Sequence, residues 1–455
     1  MRCTTTVAVA LIALFGAALG GGAEELSLAA AMRRARESAP EVGAALAREQ
    51  AQQARWDEAK GHRLPTVSLS ETWIRTDAPA DVFGMLLNQE RFSFQDFVQS
   101  DPNHPSPLES ATTRFEVSVP VYTGGELSTR IEQARRAAEA AAGAVRRSGD
   151  IAAYEAGEAY VRLLQAREQA ALLERALETV EAHVEVARAY VDEGMIVSSE
   201  LLRAEVEAAR LRDQLTATRG GARVAETALS FELGSHLGAS WSLDPVGEPP
   251  PLEGGIERWL PRAGQRHDLV AMRHRVEAAD LEARAVKARQ LPRVGISARY
   301  DLVDDTLLGT DGDHYALVAM ASVDLFSGGR HRAAEQAARA EHEAARREVE
   351  QMEEGIELEI RSAYLGAETA RDRLTTARTA LGAARETERI LQERFRQGLV
   401  RTVDLLDATT ARTEAETRET VARAEAHLGS LRLALAAGIP PEEILATSER
   451  TGETE

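Results

Sequence analysis

Two aspartates three positions apart, Asp404 and Asp407, stand six and nine residues after Gly398, and Glu200 stands six after Gly194. Side chains at i and i+3 share one face of a helix, so the aspartate pair would concentrate negative charge at one spot and draw cations to it. The alternative for either aspartate is an exposed carboxylate near a helix N-terminus, where it stabilises the helix dipole. Paired carboxylates also serve as general acid and base, but 73 acidic residues in a chain of 455 make any one pair uninformative. The ten histidines are scattered, with no HExxH, no cysteine-based site and no nucleophile elbow beside them. His183, His331 and His342 read as helix-surface or interhelix residues. Gly124-Gly125 and Gly328-Gly329 suit strand-to-helix bends, because no dinucleotide-binding pattern surrounds them. These residue types indicate no enzyme, no cofactor and no metal site.

The elements that would position the acidic residues occur twice. Val119-Pro120-Val121-Tyr122-Thr123-Gly124-Gly125 returns as Val323-Asp324-Leu325-Phe326-Ser327-Gly328-Gly329, an offset of 204 that also pairs Tyr160 with Tyr364, Gly194 with Gly398 and Leu201-Leu202 with Leu405-Leu406. Upstream the offset becomes 227, pairing Lys60, Leu64-Pro65 and Val67 with Lys287, Leu291-Pro292 and Val294. The halves differ by one insertion of 23 residues between Pro65 and Gly124. A duplicated half is therefore the unit to be explained.

Arg2, an apolar run from Val7 to Leu19 and the small residues Gly21-Gly22-Ala23 predict a secretory signal peptide over 1–23. No later segment approaches the roughly 20 apolar residues of a spanning helix. The single cysteine, Cys3, lies in the signal, so the mature chain is expected to carry neither a disulfide nor a lipid on an N-terminal cysteine. The net charge of −19 argues against nucleic-acid binding. With 28% charged and 4% aromatic residues, the composition predicts long helices with solvated acidic faces.

Sixty-eight residues from Glu126 to Glu193 contain no proline, nor do the equivalent 68 from Arg330 to Gln397. A continuous helix of that length would run roughly 100 Å. Leu173, Leu177, Val180, Val184, Ala187 and Val191 follow a heptad stripe, and Leu201, Ala204, Ala208, Leu211 and Leu215 give a complementary one beyond Gly194. The spacing predicts an antiparallel turn there. Period-two alternation predicts strands over about 65–76 and 112–123 in the first half and 292–303 and 314–326 in the second. These two hairpins have lengths that suit a tilted strand crossing a bilayer. Four strands cannot close a barrel, and open edges are excluded from lipid, so two chains would give eight strands and three would give twelve.

The order of Leu26-Ser27-Leu28-Ala29-Ala30-Ala31, Arg266-His267-Asp268-Leu269, and Phe395-x-x-Gly398 running into Asp404-Leu405-Leu406-Asp407-Ala408 resembles the TolC-like outer-membrane efflux protein family. The resemblance covers nearly the whole mature chain, with His267 where the family usually has proline. It implies a mainly α fold with a membrane β-barrel portion, in which duplicated halves over 24–240 and 241–440 precede a tail at 441–455. It further implies a homotrimer whose twelve strands form one outer-membrane barrel, continued by an α-helical periplasmic barrel. Short helices over 40–63 and 198–233 would stack beside each long one, and 244–255 would link the halves at an equatorial belt. The loop from about Asp77 to Ser110, with Phe83, Phe92, Phe94 and Phe97, would lie at the extracellular mouth, either as a lid over the exit or as a surface loop packing its own aromatics against the rim.

Carried over by this resemblance, Asp404 and Asp407 match aspartates that constrict the periplasmic entrance and favour cations, each becoming a ring of three. Gly194 and Gly398 would make the tip turns, and Glu200, Arg401 and Phe395 the tip contacts, with an Arg401–Glu200 link as a hypothesis. The pattern departs in that Val400 holds the usual arginine position and Phe395 replaces a tyrosine. The turns at 194–199 and 398–403 would dock a periplasmic adaptor, with an inner-membrane RND, ABC or MFS pump behind it and outer-membrane lipid around the barrel. The function so implied is a passive exit duct for efflux or type I secretion. The alternative is a periplasmic coiled-coil adaptor or scaffold, and a general diffusion porin is disfavoured because most of the chain is helical.

Overall fold

The structure, a computed structural model, describes residues 24–445 apart from Ser100, Glu253 and Gly398, without the side chains of Glu24, Asp96 and Phe97. The expected signal peptide, the tip glycine Gly398 and the end of the tail lie outside the described residues. In chain order the first half contains β1 (Glu24–Leu26), α1 (Leu28–Ser38), α2 (Pro40–Gly61), β2 (Thr66–Thr76), α3 (Pro79–Asn88), α4 (Phe94–Gln99), β3 (Leu108–Tyr122), α5 (Glu126–Asp192) and α6 (Ser198–Glu232). There follow β4 (Trp241–Leu243), two short 3-10 turns, α7 (His267–Ala288), β5 (Arg293–Asp304), β6 (Gly312–Ser322), α8 (Arg330–Arg396) and α9 (Thr402–Ala436). The repeat holds at the element ends: α5 and α6 map onto α8 and α9 at an offset of 204, and α2 maps onto α7 at 227.

The chain divides into two compact units. One spans 48–142 and 271–350 and contains a four-stranded antiparallel sheet of order β2-β3-β5-β6. Register aligns Val67, Val117, Ala298 and Leu317 in one row and Leu69, Phe115, Tyr300 and Tyr315 in the next, so this face is apolar over those rows, and the row beyond them holds Glu71, Thr113, Leu302 and Asp313. The opposite face carries Arg114, whose Nε and Nη2 reach the Asp301 carboxylate at 2.7 and 2.9 Å. β2 and β6 are paired on one side only among the described residues.

The last strand ends at Ser322, four residues short of the expected 326. Its ladder stops at the Arg293↔Ser322 pair because Pro292, lacking an N–H, cannot extend β5. Leu325 and Phe326 are left 93% and 89% exposed in the passage to α8. β3 instead starts at Leu108, ahead of the expected 112, and pairs with the full length of β2.

The other unit spans the described parts of 24–47, 143–270 and 351–445. Ala176, Val180 and Val184 of α5 pack on Ala204, Ala208 and Leu211 of α6, which joins the two heptad stripes into one antiparallel seam. Ala370 and Leu374 of α8 meet Ala422 and Ala426 of α9 likewise. At the base of the seams, Met32 and Ala35 of α1, Tyr160 and Leu163 of α5, Leu229 of α6, the following Leu233, and Leu431 of α9 form the main core. A short parallel pair, β1 with β4, lies against it. Arg266 is 4% exposed, pairs with Asp268 and Glu359, and donates to the Ala436 carbonyl, so this motif residue ties α9 to the chain entering α7.

Candidate functional site

The long helix α5 ends where Gly194 takes φ +72, the left-handed conformation that closes a helix most cheaply with glycine. Met195 N–H donates to the Tyr190 carbonyl at 2.8 Å and Gly194 N–H to Val191 at 3.0 Å. One repeat later, Leu399 N–H donates to the Arg394 carbonyl at 3.0 Å, which is the same bond shifted by 204.

Beyond each turn an extended residue starts the return helix, Val197 for α6 and Arg401 for α9, and neither side chain can accept a backbone N–H. Glu200 and Asp404 stand at the third helical position, where a carboxylate relieves the unpaired amides and the positive helix end. Asp404 does so directly: its Oδ2 accepts the Arg401 N–H at 3.2 Å. The Arg401 guanidinium also donates to it, from Nε at 3.3 Å and Nη2 at 3.2 Å. Those guanidinium bonds, followed by the backbone one, hold the Asp404 carboxyl below its ordinary range. Within the chain Arg401 is therefore paired with Asp404, and Glu200 acts on it only through longer-range attraction.

Asp407 lies one turn further along α9 and is exposed. On the other face Leu405 and Leu406 are buried, and Leu406 enters the core made by α5 and α6. This anchors the start of α9 while leaving the aspartates outward. Phe395, the residue before the last of α8, is half-buried.

A buried polar group behind the tip has no counterpart among the sequence-derived candidates. Glu388 of α8 is 3% exposed and accepts from Thr409 Oγ1 at 3.0 Å and Arg412 Nη1 at 2.7 Å, both on α9. Burial pushes the neighbouring His183 imidazole down, against the pull of Glu388. No local pattern distinguishes Glu388 among so many acids, since its role depends on which helix faces it.

At the strand-to-helix bends all four glycines, Gly124, Gly125, Gly328 and Gly329, have positive φ. Gly124 also lies against the chain leaving α7, where a Cβ would fall 2.6 Å from that of Leu291 and 2.8 Å from the Ala288 carbonyl oxygen. The next residue but one, Glu126, gathers Arg130 Nε at 3.2 Å, Arg289 Nε at 2.9 Å and Arg293 Nη2 at 3.0 Å. At the other end of the sheet, the long loop folds into α3 and α4, with Phe83 and Phe92 edge-to-face at 5.3 Å. Gln89 is 1% exposed and its amide donates to the carbonyls of Glu109 at 2.9 Å and Asp304 at 3.3 Å. Arg91 pairs with Asp305 of the second hairpin's turn at 2.5 Å. The loop is thus seated on the second hairpin of the same chain.

Among the described residues no helix is long and apolar enough to cross a membrane. The model of the outer membrane efflux protein family matches residues 31–235 and 263–439. The outer membrane efflux protein BepC of Brucella suis biovar 1 (strain 1330) is 25% identical over 260 residues, 56% of this chain and 56% of that protein, so the chain spans about half the length of this curated relative. Two solved structures show the same fold at low identity. The outer membrane protein VceC of Vibrio cholerae is 19% identical, with TM-score 0.73 over 90% of this chain and 96% of that one. The CmeC outer membrane channel of Campylobacter jejuni is 15% identical, with TM-score 0.75 over 94% of this chain and 88% of that one. Since the family's model covers well over half its length, in both halves of the repeat, this chain belongs to the outer membrane efflux protein family.

Proposed function

We propose that this chain is the outer-membrane exit duct of a tripartite efflux or type I secretion system, conducting substrates passively from an inner-membrane pump across periplasm and outer membrane. The observation that carries the reading is the sheet. Its strands of 11, 15, 12 and 11 residues are long enough to cross a bilayer and share an apolar face through the rows of Val67 and Leu69, and its outer strands β2 and β6 each have an unpaired edge among the described residues. Lipid does not tolerate such edges. Three copies joined β6 to β2 remove them all and give one barrel of twelve strands. Each half, 24–240 and 241–440, contributes one strand hairpin and one pair of long helices to that homotrimer.

Three-fold symmetry would bring three copies of each tip turn together at a periplasmic entrance. There Asp407 supplies the free carboxylate of the ring, while Asp404 is partly neutralised by Arg401. Glu200, Arg401 and Phe395 would then meet a neighbouring helix pair, and 194–199 with 398–403 would present the surface for a periplasmic adaptor linked to an RND, ABC or MFS pump. The reading gives the chain no catalytic step. Extraction of outer membranes in mild detergent, followed by native mass spectrometry, tests it. A detergent-dependent trimer is the expected result, and a chain recovered without detergent from the periplasmic fraction would favour the scaffold reading instead.

A further inference from the structure

The charge on the segments flanking the sheet is divided by end. Register brings the starts of β2 and β5 and the ends of β3 and β6 to one end of the sheet, through Thr66↔Ser118, Tyr122↔Val294 and Arg293↔Ser322. The junctions with the helices there, 60–65, 123–130, 287–293 and 323–332, hold eight Lys and Arg against two acids. The loops at the opposite end, 77–107 and 305–311, hold seven acids against one arginine. In a chain of net charge −19 the helical end is therefore an island of positive charge, and it contains both of the chain's lysines, Lys60 and Lys287.

Three features of that island suit phosphate on a lipid headgroup. Arg63, Lys287 and Arg332 are exposed and make no ion pair among the described residues. Glu126 gathers three guanidiniums on one carboxylate, which leaves positive charge in excess and N–H donors to spare. Apolar groups also stand at the same level: Lys60 Nζ lies 4.1 Å above the Trp56 ring, and Leu64 and Tyr122 are 64% and 50% exposed. Amphipathic aromatics beside basic residues are what a membrane–water boundary selects.

We propose that this basic collar binds the phosphate headgroups of phospholipids in the leaflet facing the helices, retaining anionic lipid in preference to zwitterionic lipid. The inference rests on the outer-membrane reading above. Phosphate diesters accept from arginine in the paired geometry that carboxylates do. Acyl chains would then lie along the apolar face of the sheet, which free phosphate could not use.

The test is lipid retention by the full chain, exchanged in detergent against phosphatidylglycerol or phosphatidylcholine of identical acyl chains and read by native mass spectrometry. The wild type should retain the anionic lipid at least about fivefold better, the effect of roughly one basic residue at an anionic surface. The variant Lys60→Gln/Arg63→Gln/Lys287→Gln/Arg332→Gln should lose that preference, whereas Arg48→Gln/Arg203→Gln/Arg223→Gln/Arg275→Gln, with the same change in net charge on exposed helix positions, should keep it. Equal retention of the two lipids by the wild type would overturn the collar, as would displacement of the bound lipid by millimolar inorganic phosphate. A chain that does not enter bilayers at all would overturn the membrane placement itself, a separate outcome seen before any lipid is compared.

Discussion

Asp404 and Arg401 close on each other at the start of α9: one carboxylate accepts both the backbone N–H and the guanidinium of the residue three positions before it. An acid that serves a helix start in this way is held in place and partly neutralised. On the proposed duct, Arg401→Gln keeps the backbone bond and removes the positive charge. Cation preference, read as a reversal potential across a salt gradient, should rise. A preference unchanged or reduced would mean that Arg401 does not screen the entrance carboxylates.

His427 of α9 is 4% exposed, and its Nε2–H donates to the Gly247 carbonyl at 3.0 Å while Nδ1 is buried without a partner among the described residues. Burial drives its pKa down to about 4. Because the folded value lies below the unfolded one near 6.5, the unfolded chain takes up the proton first as pH falls. Stability from this group is whole above pH 6.5 and is lost between there and about pH 4, on the order of 3 kcal/mol per protomer. Thermal midpoints should fall across that window, and His427→Gln should flatten the fall. A wild-type midpoint constant from pH 7 to 4 would contradict the assignment.

Gly312 opens β6 with its Cα against the Asn88 carbonyl at the end of α3, where a Cβ has no room. Gly312→Ala should push α3 off the sheet at a cost of about 1–3 kcal/mol. Trypsin cleavage at Arg91 in the folded protein should then accelerate about tenfold or more. Unchanged cleavage would show that the loop is not held by this contact.

Much of this was legible in the sequence. The heptad positions of Leu173 to Val191 and Leu201 to Leu215 are periodic, so the α5–α6 seam follows from spacing alone. The φ of Gly194 follows from its place after a long helix. What could not be read depends on partners distant in sequence. The end of β6 at Ser322 is set by Pro292, thirty positions earlier. The β1–β4 pair joins three-residue segments too short to show any period. The Arg401–Asp404 pair sits at a helix start whose position could not be placed to the residue, so Glu200 was named as the partner of Arg401 where the structure has Asp404.

Tyr160 tests the asymmetry of the repeat. Its hydroxyl is 2.8 Å from the carbonyls of both Leu26 and Asp244, whereas its counterpart Tyr364 is only half-buried. Tyr160→Phe should cost about 1–3 kcal/mol by leaving a buried carbonyl short of a donor. Tyr364→Phe should stay within about 0.5 kcal/mol. Urea unfolding of the two variants side by side decides it, and equal losses would contradict the account.

The most direct measurement is single-channel conductance of the detergent-purified protein in a planar bilayer, comparing wild type with Asp407→Asn and Asp404→Asn. A conducting wild type that prefers cations, with Asp407→Asn removing most of that preference and Asp404→Asn less, is the predicted result. A folded trimer that inserts and carries no current would contradict the duct.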